Sequence, residues 1–222
     1  MGCNIARWIL RIGVQVDSAS QQYRKGPLMP LDSNSPLTAY TAEKKDLYDM
    51  GEMPPLGHVP KQMYGWAIRK ERHGEPDTAM LQEVLDVPEL DNYDVLVLVM
   101  AAGINYNGVW AALGVPISPF DGHKQPYHIA GSDASGIVWA VGSKVTRWKV
   151  GDAVVVPCNQ DDGDDEECNG GDPMYSTSQR IWGYETPDGS FSQFTRVQSQ
   201  QLMPRPQHQT WEESACYTLT LA

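Results

Sequence analysis

The continuous apolar run at residues 94–101 (DVLVLVMA) leaves this chain few choices of fold. It has the length of a strand, and its lack of alternation is typical of a strand buried on both faces. Four shorter β-rich runs lie at residues 63–69, 81–87, 137–141 and 153–156. Short strands between frequent turn residues predict a mainly β fold with short helices, built as a small barrel or sandwich. Residues 105–113 are the clearest predicted helix, with Trp110 and Leu113 at helical spacing.

The composition excludes several classes of protein. Of the 222 residues, 20% are charged and 41% are hydrophobic, as in an ordinary soluble globular protein. The net charge of -11 argues against nucleic-acid binding, which needs a basic surface. No apolar run reaches membrane-spanning length. The four cysteines are irregularly spaced, which favours a reducing, cytoplasmic location over a disulfide framework.

The first 60 residues are predicted to lie outside the main fold. Residues 1–34 lack the long apolar core of a secretory signal, and we interpret them as a disordered or foreign arm. Residues 41–50 (TAEKKDLYDM) predict a short helix, and residues 51–60 predict a connector rich in Pro and Gly. The ordered domain, expected at residues 61–210, therefore begins near Lys61.

One acidic residue, Glu185, stands next to two aromatic residues, Trp182 and Tyr184. The turn sequence TPDG follows at residues 186–189, and it predicts that Glu185 lies at the mouth of a hairpin. A carboxylate between apolar rings loses hydration, which suits it to handling protons or polarising a bound molecule. The alternative is a solvated acid at the end of a strand.

A second acidic stretch, residues 158–172 (CNQDDGDDEECNGGD), carries six carboxylates between Asp161 and Glu167. Their spacing does not follow the alternating ligands and distal Glu of a calcium loop. Only two cysteines flank the stretch, whereas structural zinc usually takes four close ligands. We therefore interpret it as a solvated loop.

Several motifs follow one another in an order that resembles the GroES-like catalytic domain of medium-chain dehydrogenases/reductases. They lie at residues 101–110 (AAGINYNGVW), 126–136 (PYHIAGSDASG), 141–155 (VGSKVTRWKVGDAVV), 189–197 (GSFSQFTRV) and 211–222 (WEESACYTLTLA). Zinc alcohol dehydrogenases carry a Cys ligand and a His-Glu pair where this chain has residues 103–105 (GIN) and 131–133 (GSD). The resemblance therefore favours the zinc-free reductase branch, and no metal is expected.

Within that branch, residues 46–222 resemble the first half of the crotonyl-CoA carboxylase/reductase family. Four runs carry the resemblance: residues 51–60 (GEMPPLGHVP), 105–110 (NYNGVW), the acidic loop, and residues 179–185 (QRIWGYE). The resemblance implies reductive carboxylation of crotonyl-CoA to ethylmalonyl-CoA with NADPH and carbon dioxide. Two alternatives stay open, which are a non-carboxylating enoyl-CoA or acrylyl-CoA reductase and an inactive interaction module.

The resemblance also assigns site residues. The family holds carbon dioxide with an Asn, an aromatic-Glu pair and a His, and the first three correspond to Asn107, Tyr184 and Glu185. Some members have Phe in place of Tyr184, so a backbone N–H at that position is expected to matter more than the ring. The alternative for Asn107 is a helix N-cap. None of the five histidines matches the family's catalytic His, and His128 is expected to be a packed structural residue.

The resemblance ends where these enzymes enter their dinucleotide-binding domain. No G-x-G-x-x-G follows a strand, so these residues contain no pyrophosphate cradle. Residues 211–222 are expected to begin the linker, with Thr218 and Thr220 near the nicotinamide. By itself this stretch is expected to transfer no hydride. The resemblance further implies a homo-oligomer.

Overall fold

The computed structural model describes residues 43–219. The interpretation of residues 1–34 and the assignment of Thr220 lie outside them. The strands in this part of the chain are β1 (Gln62–Ile68), β2 (Leu81–Asp86), β3 (Asp94–Ala102), β4 (His128–Ile129), β5 (Ala134–Val141), β6 (Ala153–Val156), β7 (Asn159–Gln160), β8 (Arg180–Ile181), β9 (Phe194–Gln198) and β10 (Met203–Pro204). The helices are α1 (Pro76–Ala79), α2 (Tyr106–Leu113) and α3 (Trp211–Ala215). The predicted mainly β fold with short helices is confirmed.

Two antiparallel sheets form the body of the domain. The larger has the strand order β10-β6-β5-β3-β9, and the smaller has the order β2-β1-β4. An isolated bridge between Gly65 and Ser192 joins them. β3 lies between β5 and β9, with Ala102 opposite Ala134 and Leu98 opposite Phe194. Residues 95–99 of β3 are all buried, so side chains on both faces of this strand are covered, as predicted.

The core is dominated by large side chains that are at most 2% exposed, including Met63, Leu96, Trp139, Trp182 and Phe194. Burying each such side chain contributes about 2 kcal/mol relative to leaving it in water. Among the described residues, no helix has the length and apolar character needed to cross a membrane.

The last helix is fixed against the larger sheet. Thr210 and Glu213 form a reciprocal capping box that begins α3. The hydroxyl of Ser135, at the start of β5, donates a hydrogen bond of 2.6 Å to the carbonyl of Trp211. These contacts bring the segment after α3, including Thr218, close to the start of β5.

The predicted helix at residues 41–50 is wrong over the part that the structure describes, since residues 43–50 form no helix. Tyr48 is instead 1% exposed, and the side chain of Gln193 donates to its carbonyl. Further along, the indole of Trp139 donates to the carbonyl of His58. Fixed contacts therefore begin before Lys61, because core side chains bind the backbone of this irregular segment.

The acidic loop uses several of its carboxylates to bind its own backbone. Asp161 accepts from the N–H of Gly163, Asp162 from that of Asp164, and Asp165 from that of Cys168. Because such short polar side chains compete well for nearby N–H groups, they can order a loop without secondary structure. Residues 43–219 contain no group of three or more His, Cys, Asp or Glu that could hold a metal ion.

Candidate active site

Asn107 lies in the first turn of α2, but Asn105 caps the helix. The Oδ1 atom of Asn105 accepts from the backbone N–H of Asn107 at 2.9 Å. The side chain of Asn107 therefore does not serve as the cap, and that alternative is wrong. Its Nδ2 atom instead donates to the hydroxyl of Ser132 at 3.1 Å.

Ser132 is the centre of a buried polar network. Its hydroxyl accepts from Nδ2 of Asn105 at 3.0 Å, and the same Nδ2 atom donates to Oδ2 of Asp133 at 3.2 Å. Thr218 donates to the other carboxylate oxygen of Asp133 at 2.8 Å. Ser132 and Asp133 are both 0% exposed. Hydrogen bonds therefore connect Thr218, one of the two residues expected near the cofactor, to Asn107, one of the three expected at carbon dioxide.

Tyr184 is a buried residue whose hydroxyl donates to the carbonyl of Ile117 at 2.8 Å. Burial raises the pKa of this phenol above its usual value. The hydroxyl thus stays protonated and acts as a fixed donor. In this structure the hydroxyl anchors the loop before Pro119. The segment that follows this loop approaches Glu185 at Gly122.

Glu185 does not lie at a hairpin mouth, and that prediction is wrong. β8 pairs with β7 and β9 pairs with β3, so the strands on either side of residues 182–193 are not partners. Glu185 is half-buried in a compact turn, where its Oε2 atom accepts from the N–H of Ile181 at 2.7 Å. The Pro-Asp-Gly sequence ends this turn rather than joining two paired strands.

The backbone of this turn is also already bonded. The N–H groups of Tyr184 and Glu185 donate to the carbonyl of Ile181 at 3.1 and 2.7 Å. The N–H of Gly183 donates to the hydroxyl of Thr186, and that of Trp182 donates to the carbonyl of Cys158. Within the described residues, no N–H group beside Tyr184 is therefore free to bind a ligand, contrary to the expectation from the sequence.

Gly183 brings the turn against the Ser132 segment. Its φ of +75° is in the left-handed region, and a Cβ atom built there would lie 2.0 Å from the carbonyl oxygen of Gly131 and 3.2 Å from the nitrogen of Ser132. Asn107 contacts the side chain of Ser132, whereas Gly183 contacts its backbone. The structure thus brings the segments of Asn107 and of Tyr184–Glu185 together around Ser132.

Gly103 is one of the three residues, 103–105, that stand where alcohol dehydrogenases carry a zinc-binding Cys, and it is closely packed. A Cβ atom at Gly103 would lie 2.8 Å from Cβ of Asp133 and 3.1 Å from the carbonyl oxygen of Ala215. A side chain there would displace the Asp133 network described above. The side chains of Asn105, Ser132 and Asp133, which bind one another, thus occupy the space between residues 103–105 and residues 131–133.

Two histidines beneath the turn form a second buried cluster. Nε2 of His123 lies 3.1 Å from Nδ1 of His128, and Phe120 contacts both rings. Burial lowers the pKa of His128 to about 3, with His123 as a second cause, while the Gly183 carbonyl opposes the shift. His128 is therefore a neutral packed residue at physiological pH, as expected from the sequence.

Sequence reasoning did not identify Ser132 or Asn105 as site residues. Both stood within recognised motifs, GSD and NYN, but their contacts join residues 27 positions apart. Only the pairing of β3 with β5 places those motifs side by side. One signal in the sequence did indicate that these residues are close together. Asn105 and Ser132 lie in the two segments, residues 103–105 and 131–133, that stand where alcohol dehydrogenases carry ligands of one zinc ion.

Comparison with known proteins defines the class of this domain. The model of the alcohol dehydrogenase GroES-like domain family matches residues 91–207, and the chain belongs to that family. The predicted GroES-like domain is thereby confirmed.

More particular similarities are to carboxylating reductases. The chain is 78% identical over 194 residues to the crotonyl-CoA carboxylase/reductase of Cereibacter sphaeroides, covering 87% of this chain and 45% of that protein. A solved crotonyl-CoA carboxylase/reductase matches with 74% identity and a TM-score of 0.78, over 82% of this chain and 42% of that one. A 2-octenoyl-CoA carboxylase reductase in complex with NADP and 2-octenoyl-CoA matches with 38% identity and a TM-score of 0.67, over 71% and 40% of the two chains. The resemblance inferred from the motifs is confirmed, and the chain spans less than half the length of these proteins.

Proposed function

We propose that this chain forms the substrate-side domain of a reductase that adds hydride and carbon dioxide to crotonyl-CoA, giving ethylmalonyl-CoA. The observation that carries the proposal is the Asn107 side chain. One of its N–H groups is bound by Ser132, next to the Tyr184–Glu185 turn, and it is not used as a helix cap. The 78% identity to a crotonyl-CoA carboxylase/reductase supports the same reaction.

The cofactor of the proposed reaction is NADPH, as the NADP complexes of the structural relatives suggest. When bound, it supplies the hydride that adds to the β-carbon of the enoyl thioester. Thr218 fits a place near the nicotinamide because its hydroxyl proton is directed to Asp133 at 2.8 Å. The oxygen of Thr218 then offers lone pairs to an amide donor such as the carboxamide of the nicotinamide.

Asn107 and Glu185 act on the second substrate. Carbon dioxide is apolar overall with partial negative charge on its oxygens, so the remaining N–H of Asn107 can donate to one oxygen. Glu185 retains Oε1, which makes no hydrogen bond within residues 43–219, for a bridging water or a catalytic His. The buried Trp182 and Tyr184 exclude water, since a proton would quench the enolate before it attacks carbon dioxide.

One observation favours a second candidate, a non-carboxylating enoyl-CoA reductase. The backbone N–H groups of residues 182–185 are all bonded within the protein, so none is free to hold a carbon dioxide oxygen. If Asn107 alone donates to carbon dioxide, the gas is held more weakly, and protonation of the enolate competes better with its carboxylation. The two candidates differ only in the fate of the enolate.

Product analysis distinguishes them. The protein expressed from the complete reading frame that encodes this chain is incubated with crotonyl-CoA, NADPH and ¹³C-bicarbonate, and the thioesters are identified by mass. The carboxylating enzyme yields a product that contains one labelled carboxylate. A product that contains only added hydrogen would instead establish the second candidate.

We further propose a homo-oligomer in the cytoplasm. The described cysteines, Cys158, Cys168 and Cys216, are all free thiols, which supports a reducing compartment. Light scattering of the complete gene product measures the oligomeric state directly.

A further inference from the structure

The hydroxyl of Ser132 occupies a position where every hydrogen-bonding group has a partner. A serine hydroxyl has one proton to donate and two lone pairs to accept. Ser132 donates to Oδ1 of Asn105 at 3.3 Å and accepts from Nδ2 of Asn105 and of Asn107. All three capacities are used, and they are used by the two asparagines of the NYN motif.

The orientation of Asn105 is fixed from two sides. Its Oδ1 atom faces the backbone N–H of Asn107, which requires an oxygen, and its Nδ2 atom faces the carboxylate of Asp133, which requires a donor. The Ser132 proton points to the Oδ1 atom of Asn105, which leaves a lone pair of the Ser132 oxygen for Asn107. This arrangement presents the N–H side of the Asn107 amide to Ser132.

We propose that Ser132 is a positioning residue that orients the Asn107 amide for carbon dioxide, with Asn105 and Asp133 holding Ser132 in place. The inference rests on the function proposed above. Asn107 keeps one N–H and its Oδ1 atom free of other bonds within residues 43–219. Without the Ser132 oxygen, the amide can rotate and present Oδ1, which repels a carbon dioxide oxygen.

Burial is what makes this orientation effective. Ser132 is 0% exposed, so water does not replace its hydroxyl as an acceptor in the folded domain. The backbone at Gly131 and Ser132 is held as well, since Gly183 approaches it so closely that a Cβ atom built on Gly183 would lie 2.0 Å from the Gly131 oxygen. The side chain thus connects the Asn107 helix to a backbone that cannot shift without moving the Tyr184–Glu185 turn.

The test measures the ratio of carboxylated to reduced product in the complete gene product with crotonyl-CoA, NADPH and bicarbonate. Ser132→Ala is expected to lower this ratio about tenfold, as the loss of one hydrogen bond would. The KM for carbon dioxide rises, whereas the KM for crotonyl-CoA changes little. Ser132→Cys keeps the volume with a weak acceptor, and it tests the inference if the alanine variant does not fold.

Ser135→Ala is the matched control. Ser135 is equally buried, three residues away, and its hydroxyl also makes a hydrogen bond, but to the carbonyl of Trp211 in α3. Its ratio is expected to stay within about twofold of the parent, since its loss perturbs packing without releasing Asn107. An equal fall in both serine variants would overturn the inference, because loosened packing alone would then explain the change.

Asn107→Ala separates this inference from the proposed function. If Asn107→Ala lowers the ratio and Ser132→Ala does not, the positioning role is wrong and the carbon dioxide site stands. If Asn107→Ala leaves the ratio unchanged, the proposed site itself fails, and the inference fails with it. The double variant Ser132→Ala/Asn107→Ala should show no lower ratio than Asn107→Ala alone, since both changes act through one amide.

Discussion

The two halves of the candidate site are held in different ways. Asn107 is oriented by side chains, through a network in which Ser132, Asn105 and Asp133 each bind a neighbour. Tyr184 and Glu185 are oriented by their own backbone, since the N–H groups of residues 182–185 all donate within or beside the turn. One half is a cluster of replaceable polar groups, and the other is a folded turn.

This difference teaches which changes each half can accept. A side-chain network loses one hydrogen bond for each substitution, and its effect on chemistry can be graded. A turn that is packed on glycine loses its whole position when the close approach is blocked. Substitutions in the network around Asn107 should therefore alter the product, whereas those of the glycine on which the turn packs should alter stability.

The largest expected effect is that of Gly183→Ala. The substitution places a Cβ atom 2.0 Å from the Gly131 oxygen and strains a φ of +75°. We expect a loss of about 3 kcal/mol or more in the free energy of unfolding, measured by chemical denaturation. Gly163→Ala is the control, because its φ of +72° is the same and its Cβ would meet only the flexible side chain of Gln200 at 3.4 Å. It should cost about 1 kcal/mol, and an equal loss in both variants would exclude close packing as the cause.

The second-largest expected effect is a loss of stability on acidification, caused by His128, which lies beneath the turn. The folded-state pKa of His128, about 3, lies below the ordinary value of 6.5, so the unfolded chain binds more protons between these values. Stability therefore falls as the pH falls, by about 2 kcal/mol between pH 7 and pH 5 for this residue. Burial lowers the pKa of His123 too, which adds to the loss.

Asp188 acts in the opposite direction within the acidic range. Burial raises the pKa of its carboxyl, so its contribution to stability decreases as the pH rises through that folded-state value. Unfolding measured from pH 7 to pH 5 in the parent and in His128→Gln separates the two groups. If the variant loses as much stability as the parent over this range, the assignment of the pH dependence to His128 is wrong.

Tyr184→Phe should have the smallest effect. It removes one hydrogen bond to the carbonyl of Ile117 and keeps the ring, so we expect a loss of about 1 kcal/mol in stability. The ratio of carboxylated to reduced product should not change, because the hydroxyl is directed to the loop and not to Asn107. A changed ratio in this variant would show that the hydroxyl takes part in the chemistry.

The sequence was sufficient to predict the class of fold and the position of two of its elements, β3 and α2. The uninterrupted apolar run predicted a doubly covered strand, and β3 (Asp94–Ala102) has that environment. Helix α2 began within a residue of its expected position, because Asn105 is a strong cap. Both results depend on local patterns that one stretch of chain contains.

The features that the sequence could not predict depend on distant contacts. The turn signal at residues 186–189 was real, but the partners of β8 and β9 lie elsewhere, so the hairpin did not form. A helix was expected at residues 41–50, whereas over residues 43–50 the core accepts Tyr48 and holds an irregular backbone. The Ser132 network likewise exists only because β3 and β5 pair.

The most direct test of the carbon dioxide site is the product ratio of Asn107→Asp. Aspartate keeps the shape of asparagine, but it has no N–H to donate to a carbon dioxide oxygen. With crotonyl-CoA, NADPH and ¹³C-bicarbonate, the complete gene product carrying this change should give mainly the reduced thioester and little labelled product. Labelled product in the same proportion as in the parent would contradict the assignment of Asn107.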